Sequence, residues 1–537
     1  MSYFNSRRST IVARRGAVAT SQPLAAQAGL QMLMAGGNAM DAAIATAAAL
    51  TVVEPMSTGL GGDMFCLYWD AKTKKMTALN GSGRAPAAAD PDVMRQRGHT
   101  KMPLTGKDVA CSVTVPGTVD GWETALKQHG RMSFKEVLQP AIMYAEEGFA
   151  VSPVVAHSWQ EAEALLQSTP SGQELLLDGR APRYGEIMRL PHLATLLKAL
   201  RSENDKGVFY QGAVAQKIAA HVQSNGGWLT TDDLAAHTST WETPLSTEYR
   251  GAKIWECPPN GQGMAALMAL NIAENFDFSN TTAQSATRYH MLIEAMRLGF
   301  ADSLQYVADP AFADVPVDAL LNKDYAKQRY DLINPARAFK NVHYGDPLPS
   351  SNTVYITVVD AEGNACSFIN SVFQGFGSGL VVPGTNIALH NRGAGFSLDP
   401  EHSCYLQPNK RPYHTIIPAM VTDNDEFWMS FGVMGAFQQP QGHLQVISNM
   451  LDFNMDPQQA LDALRFSIDL EHDLIKVEKG TDIETIMGLE KRAHKVQVID
   501  GFQRQEFGGG QIIVRDPVTG VLFAGSEPRK DGAAVGF

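Results

Sequence analysis

The sequence predicts an α+β protein: antiparallel sheets packed together, with helices as outer layers. Three observations predict it. An Ala-rich apolar run follows Gly36-Gly37, helical periodicity dominates from Trp122 to about Lys340, and after Thr353 the texture turns to short alternating strands.

Asn38–Val53, "NAMDAAIATAAALTVV", reads as a buried helix with Asn38 near its N-cap. "STGLGGDMFCLYWD" then gives a Gly-rich turn into a strand, and "KKMTALNGSGRAP" its partner strand and a loop. Apolar spacing of helical type marks Phe134–Glu147, Leu190–Arg201, Ala213–Asn225 and Ala286–Val307. Asn341–Ser351 is the most loop-like long segment. Beyond it, "TVYITVVD", "NACSFINSVF", "NIALHN", "TIIPAMVTD" and "EFWMSFG" are strand-like runs separated by turn residues. "DPQQALDALRF" restores a helix, and "GQIIVRDPVTGVLFAGSEP" closes with a hairpin.

The chain has 537 residues, more than one core normally holds, so two lobes or one large intertwined domain is expected. Its net charge of −12 argues against nucleic acid or an anionic membrane as partner. The longest apolar stretch, Ala42–Val53, is too short to cross a hydrocarbon layer of roughly 30 Å. The opening "MSYFNSRRSTIVARRGAVATS" has no apolar run behind its basic residues and does not read as a secretory signal. Five scattered cysteines without a CxxC pair predict reduced thiols in a cytoplasm, with neither disulfides nor a zinc site. "GLGGDMF" and "GFGSGL" do not precede helices as a dinucleotide site requires. His290 and Glu294 are spaced i, i+4 on a helix, but no second histidine is expected nearby to complete a metal motif, so the pair is expected to be solvated or structural. No metal and no cofactor is expected.

Thr353 stands between the Pro- and Ser-rich "HYGDPLPSSN" and the strand "VYITVVD". A Thr at a strand start is usually only a β-former. The functional alternative is specific. A Thr hydroxyl reacts only when a base takes its proton. A cut ahead of Thr353 would create an α-amine, of ordinary pKa roughly 7.7–8.0, beside that hydroxyl. One residue would then supply nucleophile and base, and before the cut the same hydroxyl could attack the Asn352 carbonyl.

Several stretches together resemble the γ-glutamyltransferase (γ-glutamyltranspeptidase) family of N-terminal nucleophile hydrolases. They include "GAVATSQPLAAQAGLQMLMAGGNAMDAAIATAAALTVVEPMSTGLGGDMF", "VPGTVDGWETAL", "LQPAIMYAEEGFAVS", "SNTVYITVVDAEGNA", "GFGSGLVVPG" and "PNKRPYHTIIPAMV", and the match spans nearly the whole chain. The resemblance implies an αββα sandwich formed jointly by both halves of a self-cleaving precursor. The cut would fall between Asn352 and Thr353, giving a large subunit, 1–352, and a small one, 353–537, that starts with the catalytic Thr353. It further implies that Ser371 supports the nucleophile and that the Gly435–Ala436 turn in "FGVMGAFQQ" supplies oxyanion donors.

The substrate-reading positions depart from the family. Ser82 of "SGRAP" stands where the family has the Arg that holds an α-carboxylate, and Arg84 lies two residues on. Phe373 replaces an Asn, Gly395 replaces the acid that pairs an α-ammonium, and His414-Thr415 replace a Ser-Ser pair. Arg392 adds a positive charge in "NRGAGFS". An amino-acid head group would leave a buried ammonium unpaired, which is costly. Arg84, Phe373, Arg392, His414 and Thr415 are therefore expected to line a compact cationic pocket. The leading expectation is an amidohydrolase acting on a small carboxylate-bearing amide such as oxamate. Alternatives are a glutathione hydrolase acting on γ-glutamyl compounds, a cephalosporin-acylase-like hydrolase, and an uncut inactive homologue with a binding role. The expected partners are a small amide and the two subunits of one precursor, with a dimer of such pairs left open.

Overall fold

The computed structural model describes residues 8–340, 342 and 353–537. Asn352, one side of the expected cut, lies outside the described residues.

Two seven-stranded sheets, antiparallel throughout, form the centre. The first runs Ala533–Gly536, Ala17–Thr20, Val354–Val359, Ala365–Ser371, Asp63–Asp70, Lys75–Gly81 and Thr240–Glu242. The second runs Ile11–Ala13, Leu522–Ser526, Gly509–Arg515, Glu426–Met434, Ala419–Asp423, Ala252–Glu256 and Leu245–Tyr249. Each sheet takes strands from both sides of residue 353.

Helices cover the outer faces. The Ala39–Val53 helix is buried along its whole length and packs on the first sheet. Small side chains let it approach closely, and Asn38 caps it in a reciprocal arrangement with Asp41. Gly263–Ala273, Ala286–Tyr306 and Gln438–Leu451 cover the second sheet. Between the sheets, Phe65, Leu67, Tyr355, Ile369, Met420 and Ile513 form a separate apolar layer. The result is the expected αββα sandwich.

Two expectations change. Phe134–Glu147 is two helices, Phe134–Val137 and Gln139–Glu147, and the Pro at position 140 marks the start of the second. The stretch expected to be mainly helical also contains three strands within Thr240–Glu256. The alternation in "LSTEYRGAKIWE" carries a half-buried edge pattern that the surrounding helical periodicity hides.

Candidate active site

Strand alternation places Thr353. Val354, Ile356 and Val358 face the helices, so Tyr355 and Thr357 face the second sheet, and Thr353 shares their side. Thr357 Oγ1 donates to Ser430 Oγ at 2.7 Å, and the Tyr355 ring occupies the space above Gly432. Two residues further along each strand, Thr353 reaches the level of Met434, where the Gly435–Ala436 turn begins.

Register also carries Thr353 across the first sheet. Val354 pairs with Asn370 and Asn370 with Met64, so Thr353, Ser371 and Asp63 form one row at the end of the sheet. All three are buried, and Thr353 Oγ1 lies 3.0 Å from Ser371 Oγ. The Phe373 backbone N–H donates to that same Ser371 oxygen at 2.8 Å, which helps fix the serine hydroxyl.

The Gly435–Ala436 turn is conformationally costly. Gly435 has φ +135° and Ala436 φ +50°, the second in a region a Cβ disfavours by about 1–2 kcal/mol. Gln262 holds the turn: its Nε2 donates to the Ala436 carbonyl at 2.8 Å and to the Thr415 carbonyl at 2.6 Å. With both carbonyls engaged, the turn is tied to the loop that carries His414 and Thr415. Phe373 is likewise left-handed, at φ +76°. Outliers held by surrounding structure concentrate at functional sites.

Behind the row lies a buried charge cluster. Asp63 Oδ2 accepts from His414 Nε2 at 3.0 Å and lies 3.1 Å from His390 Nδ1 and 3.9 Å from Arg392 Nε. Its other oxygen accepts the Gly83 N–H. Burial pushes the Asp63 carboxyl up, but the imidazoles of His390 and His414 overcome this and hold it well below its ordinary range. Burial, reinforced by the Arg392 charge, drives His414 down to about 3, so it is neutral and donates to the Asp63 anion. Arg392 is lowered by burial, against the pull of Asp63, to about 9 and stays cationic at neutral pH.

Arg392 is the least satisfied member of the cluster. Its Nη1 donates to Thr415 Oγ1 at 2.7 Å, and its guanidinium stacks 4.2 Å from the Phe373 ring centroid. Its Nε and Nη2 have no hydrogen-bond partner among the described residues. Burying unused donors is costly unless something accepts from them.

The structure thus brings together Thr353, Ser371, Phe373, Arg392, His414 and Thr415, with Gly435–Ala436 at the same end of the sandwich. Arg84 does not join them. Its guanidinium reaches the Thr238 carbonyl at 3.5 Å and lines a separate cavity of about 470 Å³ with Thr230, Asp233 and His237. Ser82 follows the last strand residue, Gly81, with its hydroxyl tied to Asn80 Oδ1 at 2.6 Å. Asp63 and His390 escaped sequence reasoning. The signal for Asp63 was an acid opening the otherwise apolar run "MFCLYW".

Comparison with known proteins identifies the family. The family model described as gamma-glutamyltranspeptidase matches residues 25–537. A relative from Bacillus subtilis (strain 168), glutathione hydrolase-like YwrD proenzyme, is 39% identical over 98% of this chain and 99% of its own. An oxamate amidohydrolase proenzyme of Klebsiella pneumoniae is 34% identical over 98% of this chain and 100% of its own. The solved structure of a cephalosporin acylase from Bacillus halodurans superposes with TM-score 0.92 at 45% identity, covering 100% of this chain and 98% of that one. The chain is an enzyme of the γ-glutamyltranspeptidase family, with the N-terminal nucleophile hydrolase fold.

Proposed function

We propose that this chain is cut between Asn352 and Thr353 into residues 1–352 and 353–537, and that the new N-terminal Thr353 hydrolyses an amide whose acyl group carries a carboxylate but no α-amine. Thr353 Oγ attacks the amide carbonyl while the α-amine takes its proton. The N–H groups of the Gly435–Ala436 turn receive the oxyanion, a contribution of several kcal/mol in sites of this kind. The amine or ammonia leaves with the proton, and water releases the acyl group by the reverse sequence. Ser371, 3.0 Å away, orients the nucleophile.

The observation that carries the substrate class is Arg392. It is buried and cationic, and its Nε and Nη2, on one edge of the guanidinium, have no partner among the described residues, an arrangement whose geometry matches a planar carboxylate. Gly395 supports the same reading. A Cβ there would stand 2.5 Å from the Tyr413 carbonyl, so an acidic side chain for an ammonium has no room at that position. Oxamate, a compact anion, fits this description.

One observation favours a larger substrate. A cavity of about 240 Å³ lined by Leu304, Phe396, Leu398, Tyr413 and Phe437 borders both Gly395 and the residue after Ala436. Such a wall suits an apolar acyl or leaving group of the acylase kind.

The test is an amide panel on purified protein, with N-terminal sequencing alongside. A fragment beginning Thr-Val-Tyr-Ile and turnover of oxamate in preference to a γ-glutamyl anilide are the expected results. Preference for an aryl-acyl amide selects the acylase reading, and preference for the anilide overturns the Arg392 argument. Thr353→Ala should lower turnover by at least about 10⁴-fold and leave one band on a denaturing gel.

A further inference from the structure

His290 and Glu294 lie one turn apart on the Ala286–Tyr306 helix and so share a face. The fold brings His494, just beyond the Ile483–Lys491 helix, against them. This corrects the expectation that no second histidine stands near. The separation of 204 residues hid it from sequence reading. One ligating atom from each of the three side chains falls within 4.8 Å of the others, and all three are buried.

Their surroundings are those of ligands. His290 Nε2 faces the Asn334 carbonyl at 2.9 Å, which fixes the proton there and turns the Nδ1 lone pair inward. That Nδ1 lies 2.7 Å from His494 Nε2, while His494 Nδ1 has no partner among the described residues. Glu294 is oriented by the Phe339 N–H at 2.7 Å. Arg297 lies 3.3 Å from Glu294 and is itself paired with Asp473 at 2.6 Å, so it is the resident cation that an incoming ion must outcompete.

We propose that His290 Nδ1, His494 Nε2 and a Glu294 carboxylate oxygen bind a divalent metal of the zinc class, with water in the fourth position. Two nitrogens and one oxygen suit zinc, cobalt or nickel and not magnesium or calcium. Tetrahedral bonds of roughly 2.0–2.1 Å put ligand atoms roughly 3.4 Å apart, so the two imidazoles open slightly from their present contact. The His494 proton moves from Nε2 to the unpartnered Nδ1, so its ring binds as neutral imidazole. The ion would join residues from opposite sides of Thr353, two from residues 1–352 and one from 353–537. It sits on the outer layer of the second sheet, apart from the Thr353 row.

The experiment uses the full chain, treated with chelator, dialysed, and titrated with zinc and cobalt, with elemental analysis and cobalt absorption as readouts. One ion per chain and a metal-dependent rise in melting temperature are expected. His494→Gln keeps an amide donor for His290 Nδ1 while removing the imidazole ligand, and should weaken binding at least about tenfold. Glu294→Gln provides the same comparison should that variant not fold. Thr353→Ala should bind the ion as wild type does. Failure of the wild-type chain to take up a stoichiometric ion, or equal binding by His494→Gln and Glu294→Gln, overturns the proposal, whatever the amide panel shows.

Discussion

Arg392 and Arg529 are both fully buried guanidinium groups, and they are opposites. Arg529 donates from every nitrogen: to Glu478, to Glu527 and to the Leu461 and Ala463 carbonyls. Its two carboxylate partners overcome burial and raise it above its ordinary value. Arg392 shares one carboxylate with two histidines, at 3.9 Å, donates once, and is lowered by burial. A saturated buried cation holds structure together; an unsaturated one in the Thr353 region is what the proposed anion-binding role of Arg392 rests on.

The contrast can be broken from the structural side first. Glu478 also accepts from Arg504 Nε at 2.7 Å, so Glu478→Gln leaves two buried arginines undercompensated. A loss of about 3–5 kcal/mol in denaturant unfolding is expected. Arg392→Met tests the other side. It should change stability little, because Asp63 keeps both imidazoles, while raising KM for an anionic amide roughly 10–100-fold. Equal destabilisation by the two variants would erase the distinction between the arginines.

Phe373→Asn sharpens it further. Asn tolerates positive φ better than Phe, so relief of backbone strain should offset part of the lost ring. Because the ring is fully buried, stability should still fall by roughly 2–4 kcal/mol, while discrimination for the anion falls as Arg392 loses its stacking surface. The smallest effect expected is in the pH profile. If Arg392 is the anchor, KM for the anion stays level through neutrality and rises only as pH passes about 9, where the guanidinium loses its proton. An anchor made by a protonated His414 would already be lost above about 3. The rate itself should climb with pH as the Thr353 α-amine deprotonates, near its ordinary roughly 7.7–8.0.

What the sequence shows of this site is local. A threonine at the junction of an irregular stretch and a strand, and packed sheets with outer helices, can be read from spacing and alternation; Ser371 and the turn after "SFGVM" stand out only through the family resemblance. The Asp63–His390–His414 cluster could not be read, because its members come from three separate segments and no periodicity links them. Arg84 misled because two residues along a strand keep a side chain on one face only while the strand lasts. The strand ends at Gly81, and Arg84 turns to another cavity. His494 escaped for the same reason as Asp63, since only the fold puts it beside His290.

The interleaving of the sheets has a mechanical consequence. Val354–Val359 sits between Ala17–Thr20 and Ala365–Ser371, and Asp63–Asp70 pairs with Ala365–Ser371, so residues from either side of position 353 alternate through one hydrogen-bonded ladder. A chain severed there should still elute from a sizing column as one body and melt in a single transition. Its two pieces should come apart only in denaturant, and neither should regain the ladder alone.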